Sequence, residues 1–100
     1  MSAISAIALS GIQLARRQLD AGAHNIANAS TEGFRRQVVL PQAQAGGGVA
    51  GAVVRAPAET PGLAVEDLVG LTRARHGFEA NIKSLAAGHA MLGTLLDTFA

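Results

Sequence analysis

The sequence has no cysteine, tryptophan or tyrosine, and three phenylalanines are its only aromatic residues apart from histidine. Without cysteine the chain forms no disulfide and no thiolate metal site, and this composition fits any redox compartment. Apolar residues make up 49% of the chain, but 21 of them are alanines, which favour helix and bury little surface each. A large core that is stable on its own is therefore not expected.

The sequence also lacks a strong charge of one sign and a long hydrophobic run. Its formal net charge is +1, whereas nucleic-acid-binding domains carry a clear basic excess. No apolar run approaches the ~20 residues that span a membrane. The mildly apolar stretch near the start precedes Arg16–Arg17 rather than following it, which is the reverse of a signal peptide. We expect no nucleic-acid partner, no membrane insertion and no cleaved signal.

Residues 1–30 have the apolar spacing of a helix that pairs with a second helix. Large and small residues alternate at steps of three and four, so that a partner helix can approach closely on the small ones. The large residues are Ile12, Leu19 and Ile26, and the small ones are Ala8, Ala15, Gly22 and Ala29. The pattern predicts an N-terminal helix with one contact line.

Residues 63–100 repeat this pattern over a longer stretch. The predicted contact line runs through Leu68, Leu71, Arg75, Phe78, Ile82, Leu85, His89, Leu92, Leu96 and Phe99. Glu66 and Asp67 lie near the expected start, where carboxylates suit the positive end of the helix dipole. Glu79 and Lys83 have the spacing of an ion pair on the outer face of the helix. The pattern predicts a second long helix.

Residues 31–62 between the helices are rich in glycine, proline and valine. Two β-prone runs, residues 37–40 and 49–55, flank the triplet Gly46–Gly48. The predicted fold is therefore mainly α: an antiparallel, coiled-coil-like pair of long terminal helices joined by a short extended or β-hairpin arm. Several apolar residues outside the contact lines would face water in a lone pair, which indicates a homodimer or a larger assembly. They are Ile4, Ile7, Leu14, Val69, Met91 and Leu95.

No pattern in the sequence predicts catalysis, a metal site or a cofactor site. His76 and His89 are 13 residues apart, about 220° around a helix, so they cannot bind one metal from one face. The stretch Gly46–Gly51 fits G-x-G-x-x-G, but a β-prone run ending in Pro57 follows it instead of a helix. We interpret it as a glycine-rich turn and expect no enzyme.

Both ends of the sequence resemble the flagellar rod and hook family of bacterial axial proteins. The N-terminal resemblance is carried by residues 8–11 and above all by residues 25–36, Asn-Ile-Ala-Asn-Ala-Ser-Thr-Glu-Gly-Phe-Arg-Arg. The C-terminal resemblance lies in residues 65–69, 77–83 and 91–97. The positions that match the family signature are Asn25, Asn28, Thr31, Gly33, Phe34 and Asn81. Because its middle segment is short, the chain resembles the small rod proteins most.

The resemblance implies a structural, non-enzymatic subunit of the basal-body rod, located in the periplasm after export through the flagellar type III apparatus. Its partners would be that apparatus, other axial subunits and copies of itself. In the family, terminal helices are typically disordered in the free subunit and pair on assembly. The expected assembly interface comprises Ile12, Leu19, Ile26, Leu71, Phe78, Ile82, Leu85, Leu92 and Leu96. The alternative is a small cytoplasmic coiled-coil adaptor or regulator that dimerises and binds a protein partner.

Overall fold

The computed structural model describes residues 3–58, 62 and 65–99. It confirms the predicted fold class: two long helices are joined by a short antiparallel β-hairpin. In chain order the elements are α1 (Ala3–Ala27), β1 (Gln37–Ala43), β2 (Val49–Arg55) and α2 (Val65–Phe99). Pro61, near the end of the segment rich in glycine, proline and valine, lies outside the described residues.

The two helices run antiparallel, and small residues allow them to approach closely. A Cβ atom added at Gly22 would lie 2.7 Å from a methyl carbon of Leu71, and one at Gly11 would lie 2.5 Å from Oδ1 of Asn81. Ala8, Ala15 and Ala74 are almost completely buried. Close approach of the backbones therefore compensates for the scarcity of large side chains in the core.

The contact line on α2 differs from the predicted one at every second position. Leu71, Phe78 and Leu85 lie on it as expected, and each is half-buried. The alternate positions are shifted by one residue towards the N-terminus, to Asp67, Ala74, Asn81 and Gly88. Arg75 and His89, which the sequence places in the seam, are exposed. The shift brings small or hydrogen-bonding residues against α1 in place of Leu68, Arg75, Ile82 and His89.

The hairpin packs along α1. Its strands pair in the register Gln37↔Arg55 to Ala43↔Val49, and a turn at residues 44–48 connects them. The turn uses φ values of 97° at Gly47 and 86° at Gly48, a region that favours glycine. A Cβ atom at Gly51 would meet Leu14 at 2.8 Å, so this glycine allows the sheet to lie on the helix.

The hydrogen bonds at the ends of the hairpin show which backbone groups point outward. The Ala56 N–H donates to the Arg36 carbonyl at 2.7 Å, and the Gln44 N–H donates to the Gly48 carbonyl at 3.0 Å. Because bonded and non-bonded pairs alternate in an antiparallel ladder, the N–H and C=O of Gln37 point away from β2. Pro41 lies four residues after Gln37, so its backbone also points away from β2. The N–H that proline lacks therefore removes no hydrogen bond between the strands.

α2 is ten residues longer than α1 and extends beyond it at one end. It has 35 residues against 25, and Gly88 already lies opposite Ile4 near the start of α1. At the other end, where Asn25 meets Asp67, the two helices are nearly flush. Among the described residues, neither helix combines the length and apolarity needed to cross a membrane.

Candidate assembly site

The turn that follows α1 is organised by the signature residues. The side-chain amide of Asn28 donates to the His24 carbonyl at 2.9 Å and so binds one of the last carbonyls of the helix. The Thr31 hydroxyl donates to Oδ1 of Asn28 at 3.3 Å. Gly33 then turns the chain with φ of 75°. The turn thus consists of a capped helix end followed by a reversal that favours glycine.

Phe34 packs back onto the end of the helix that precedes it. Its ring meets the His24 ring edge-on, with the centroids 5.3 Å apart. The backbone N–H of Phe34 donates to the Thr31 carbonyl at 3.3 Å, which tightens the same turn. These contacts set the direction in which the chain enters β1.

Asn25 connects the end of α1 to the first residue of β1. It is 4% exposed, and its Oδ1 accepts from the Gln37 N–H at 2.8 Å while its Nδ2 donates to the Gln37 carbonyl at 2.9 Å. The side-chain amide thus pairs with both outward backbone groups of Gln37, as a neighbouring strand would. Nδ2 also donates to Oδ1 of Asp67, at 3.3 Å.

Asp67 links this arrangement to α2. The carboxylate lies in the first turn of α2, its side chain is 6% exposed, and it forms an ion pair with Arg36. The Nε of Arg36 is buried and has no hydrogen-bond partner within the part of the chain that the structure describes. We call Asn25, Arg36, Gln37 and Asp67 the polar cluster. It joins α1, the start of the hairpin and α2 at one point.

An open groove of about 310 Å³ lies beside the polar cluster, between α1, β1 and the first turns of α2. Its lining is mixed, with Gln18, Arg73 and Glu66 beside Val39 and Gly70. Over residues 3–58, 62 and 65–99, no three His, Cys, Asp or Glu side chains are grouped as a metal would require.

The residues of the expected assembly interface fall into two groups. One group lies along the contact between the helices and is half-buried there: Ile12, Leu19, Ile26, Leu71, Phe78 and Leu85. The other group is exposed: Ile82 at 43%, Leu92 at 55% and Leu96 at 62%. The first group has a role within the chain itself, whereas the second lies free on its surface.

Asn81, the signature residue on α2, lies opposite Gly11 and away from the turn. Its Nδ2 donates to the Gly77 carbonyl at 2.8 Å, one helical turn earlier. The six signature residues therefore occupy two places: Asn81 is at the middle of the helix pair, and the other five are at or near the end of α1.

Sequence reasoning did not identify Arg36 or Asp67 as members of a cluster. The sequence indicated Asp67 only as a carboxylate suited to a helix start, and Arg36 only as the last residue of the stretch that resembles the flagellar family. The two residues are 31 positions apart in the sequence, and no local spacing predicts a contact over that distance. No sequence signal indicated this contact, because the predicted contact line runs through Leu68 and does not place Asp67 on the inner face of α2.

The helix pair leaves much of its apolar surface uncovered. Ile4, Ile7, Met91 and Leu95 are between 47% and 63% exposed, and Phe99 is 85% exposed. Exposed apolar surface of this extent suits packing against other chains.

Residues 6–35 match the family model described as Flagella basal body rod protein. The match includes most of α1 and the turn through Phe34, and it confirms the resemblance to the flagellar rod proteins that the sequence predicts. That family consists of structural proteins of the flagellar basal body. No curated protein matches the chain significantly.

Proposed function

We propose that this chain is a non-catalytic subunit of the flagellar rod that leaves the cytoplasm through the flagellar type III apparatus. In the periplasmic part of the basal body it assembles with axial subunits and with copies of itself. The observation that carries the proposal is the family match over residues 6–35, which includes five of the six signature residues. The uncovered apolar faces of α1 and α2 support it, because they leave surface for neighbouring subunits.

The exposed members of the predicted interface are the ones we assign to contacts between subunits: Ile82, Leu92 and Leu96. Leu92 and Leu96 lie on the part of α2 that extends beyond α1, so another chain is needed to bury them. Burying each of these leucines contributes about 1.5–3 kcal/mol, which a charged substitution would remove. The half-buried members assist assembly by holding the helix pair together.

The first experiment is quantitative mass spectrometry on detergent-extracted basal bodies from cells that produce the protein. We expect several copies per basal body. If the protein is absent there and stays in the cytoplasm, the proposal fails and the dimeric coiled-coil adaptor takes its place.

A pair of substitutions tests the assigned surface in the same cells. Leu92→Asp places a charge on the exposed apolar stripe of α2, and we expect loss of incorporation and of motility. Ala90→Asp, two residues earlier and on the opposite side of the helix, adds the same charge and serves as the control. Normal motility with Leu92→Asp, at an unchanged protein level, would contradict the assignment. Leu85→Asp is less informative, because Leu85 is half-buried in the helix pair and we expect its substitution to destabilise that pair as well.

A further inference from the structure

In the polar cluster, hydrogen bonds connect all three parts of the fold. Asn25 belongs to α1, Gln37 begins β1, Asp67 belongs to α2, and Arg36 immediately precedes the hairpin. Asn25 and Asp67 are 4% and 7% exposed with the hairpin docked, so in the folded chain their polar groups are satisfied by protein partners.

The helix pair requires the docked hairpin at this point. If α1 and α2 paired without it, Asn25 would lose both bonds to Gln37, and Asp67 would lose its ion pair with Arg36. The helix pair would then lose one charge-assisted hydrogen bond and two hydrogen bonds of a buried amide, all of which stabilise the state with the hairpin docked.

The docked hairpin in turn requires α2. If the hairpin lay on α1 alone, Arg36 would lose its carboxylate, and its Nε already lacks a partner among the described residues. A two-stranded hairpin has little stability of its own and depends on what it packs against. Loss of the ion pair therefore weakens the docking of the hairpin, which is otherwise held to α1 by hydrogen bonds from Arg17 to the Gly51 carbonyl and from the Val49 N–H to Ser10.

We infer that Asn25, Arg36 and Asp67 form a latch that makes docking of the hairpin and pairing of the helices one cooperative event. The three are positioning residues: they act on the hairpin through Gln37 and on α2 through its first turn. The inference goes beyond the proposed rod function, since it concerns only how the parts of this chain respond to one another.

Hydrogen exchange of the purified full chain, followed by mass spectrometry, tests the latch from the side of α2. Asp67→Asn removes the charge but keeps the shape. We expect exchange of the hairpin amides at Val38, Leu40, Ala52 and Val54 to accelerate about tenfold, although none of them is near the substitution in sequence. The matched control is Glu79→Gln, which breaks the exposed ion pair with Arg75 on the same helix and should leave the hairpin unchanged.

A second pair of variants tests the latch from the side of the hairpin. Gly51→Val places a side chain where a Cβ atom alone would meet Leu14 at 2.8 Å and Val39 at 2.9 Å, which lifts the sheet from α1. Since coupling is reciprocal, we expect faster exchange in the first turns of α2. Ala52→Val adds bulk at the next residue, which is exposed, and should leave α2 unchanged.

A double variant separates the latch from simple unfolding. Asp67→Asn leaves Arg36 buried without a carboxylate, whereas Asp67→Asn combined with Arg36→Gln leaves two neutral groups that can hydrogen-bond to each other. We expect the double variant to recover hairpin protection relative to either single variant.

Three results would overturn the inference. The first is additive loss of protection in the double variant. The second is hairpin protection that is unaffected by Asp67→Asn, or α2 protection that is unaffected by Gly51→Val. The third is a wild-type chain in which the hairpin amides exchange at the rates of an unfolded chain while the helix amides are protected. The hairpin and the helix pair would then become ordered independently. Each result is obtained without a flagellum, so it leaves the proposed function standing.

Discussion

Gly33 and Asn25 show how far single residues could be understood from the sequence. The sequence indicates that Gly33 turns the chain, and its φ of 75° agrees with this. It also places Asn25 near a helix end, where an amide binds backbone groups. The partner of Asn25, the backbone of Gln37, could not be predicted, because it depends on the hairpin folding back along α1. The sequence was thus sufficient to predict the local conformation at Gly33, but not the contact between Asn25 and Gln37.

Gly33→Ala and Gly70→Ala should change stability in opposite directions. Alanine at Gly33 must adopt a positive φ, and we expect a loss of about 1–2 kcal/mol. Gly70 lies within α2, and a Cβ atom there meets nothing within 4 Å. Alanine at that position should therefore stabilise the chain by about 0.5–1 kcal/mol. Thermal unfolding followed by circular dichroism measures both, and equal shifts of the same sign would contradict the argument.

At the scale of the elements, both helices and both strands were predictable from periodicity and turn residues. The exact face of α2 was not. The sequence pattern gives priority to large apolar residues and so includes Leu68 and Ile82, whereas the structure places Asp67 and Asn81 towards α1. Close packing against glycine and alanine favours small partners, and the polar cluster draws Asp67 inward. A pattern of hydrophobic residues contains no information on either effect, so it cannot predict which face of α2 lies against α1.

Ala74→Leu tests this close packing. Ala74 is 2% exposed on the inner face of α2, and three added carbon atoms must push the helices apart. We expect a loss of about 1–3 kcal/mol, which is typical of overpacking. Ala80→Leu, on the exposed side of the same helix, is the matched control and should change stability little. Denaturant unfolding curves give both values, and similar midpoints for the two variants would show that the helices do not approach closely at Ala74.

The whole molecule is long and thin, with extents of 63 × 25 × 14 Å and a radius of gyration of 17.4 Å. A compact domain of 100 residues has a radius of gyration of about 13 Å. The sequence indicated the reason, since a chain so rich in alanine cannot fill a round core. Which surfaces meet neighbouring subunits could not be read from it, because the same apolar spacing describes contacts within one chain and between chains.

This shape predicts how the purified chain responds to dilution. Its helices bury few large side chains within one copy, so contacts between copies should add much of their stability. We expect the helix content, measured by far-ultraviolet circular dichroism, to rise with protein concentration, and Leu92→Asp to reduce that rise. A helix content that stays constant over a hundredfold range of concentration would show that the helices of a single copy are stable without contacts to other copies.

The ten-residue difference in length between α1 and α2 gives the molecule a direction. Among the described residues, one end of the helix pair is nearly flush, and at the other α2 projects beyond α1 by about 15 Å, at 1.5 Å per residue. If two copies were related by a two-fold axis, the projecting ends of their α2 helices would contact each other. No such end would then be left for a third copy. If copies were related by a translation along the long axis, the projecting α2 end of one copy would contact the flush end of the next. Each added copy would then present the same free end as the copy before it. The same overhang therefore ends growth or continues it, according to the symmetry of the contact.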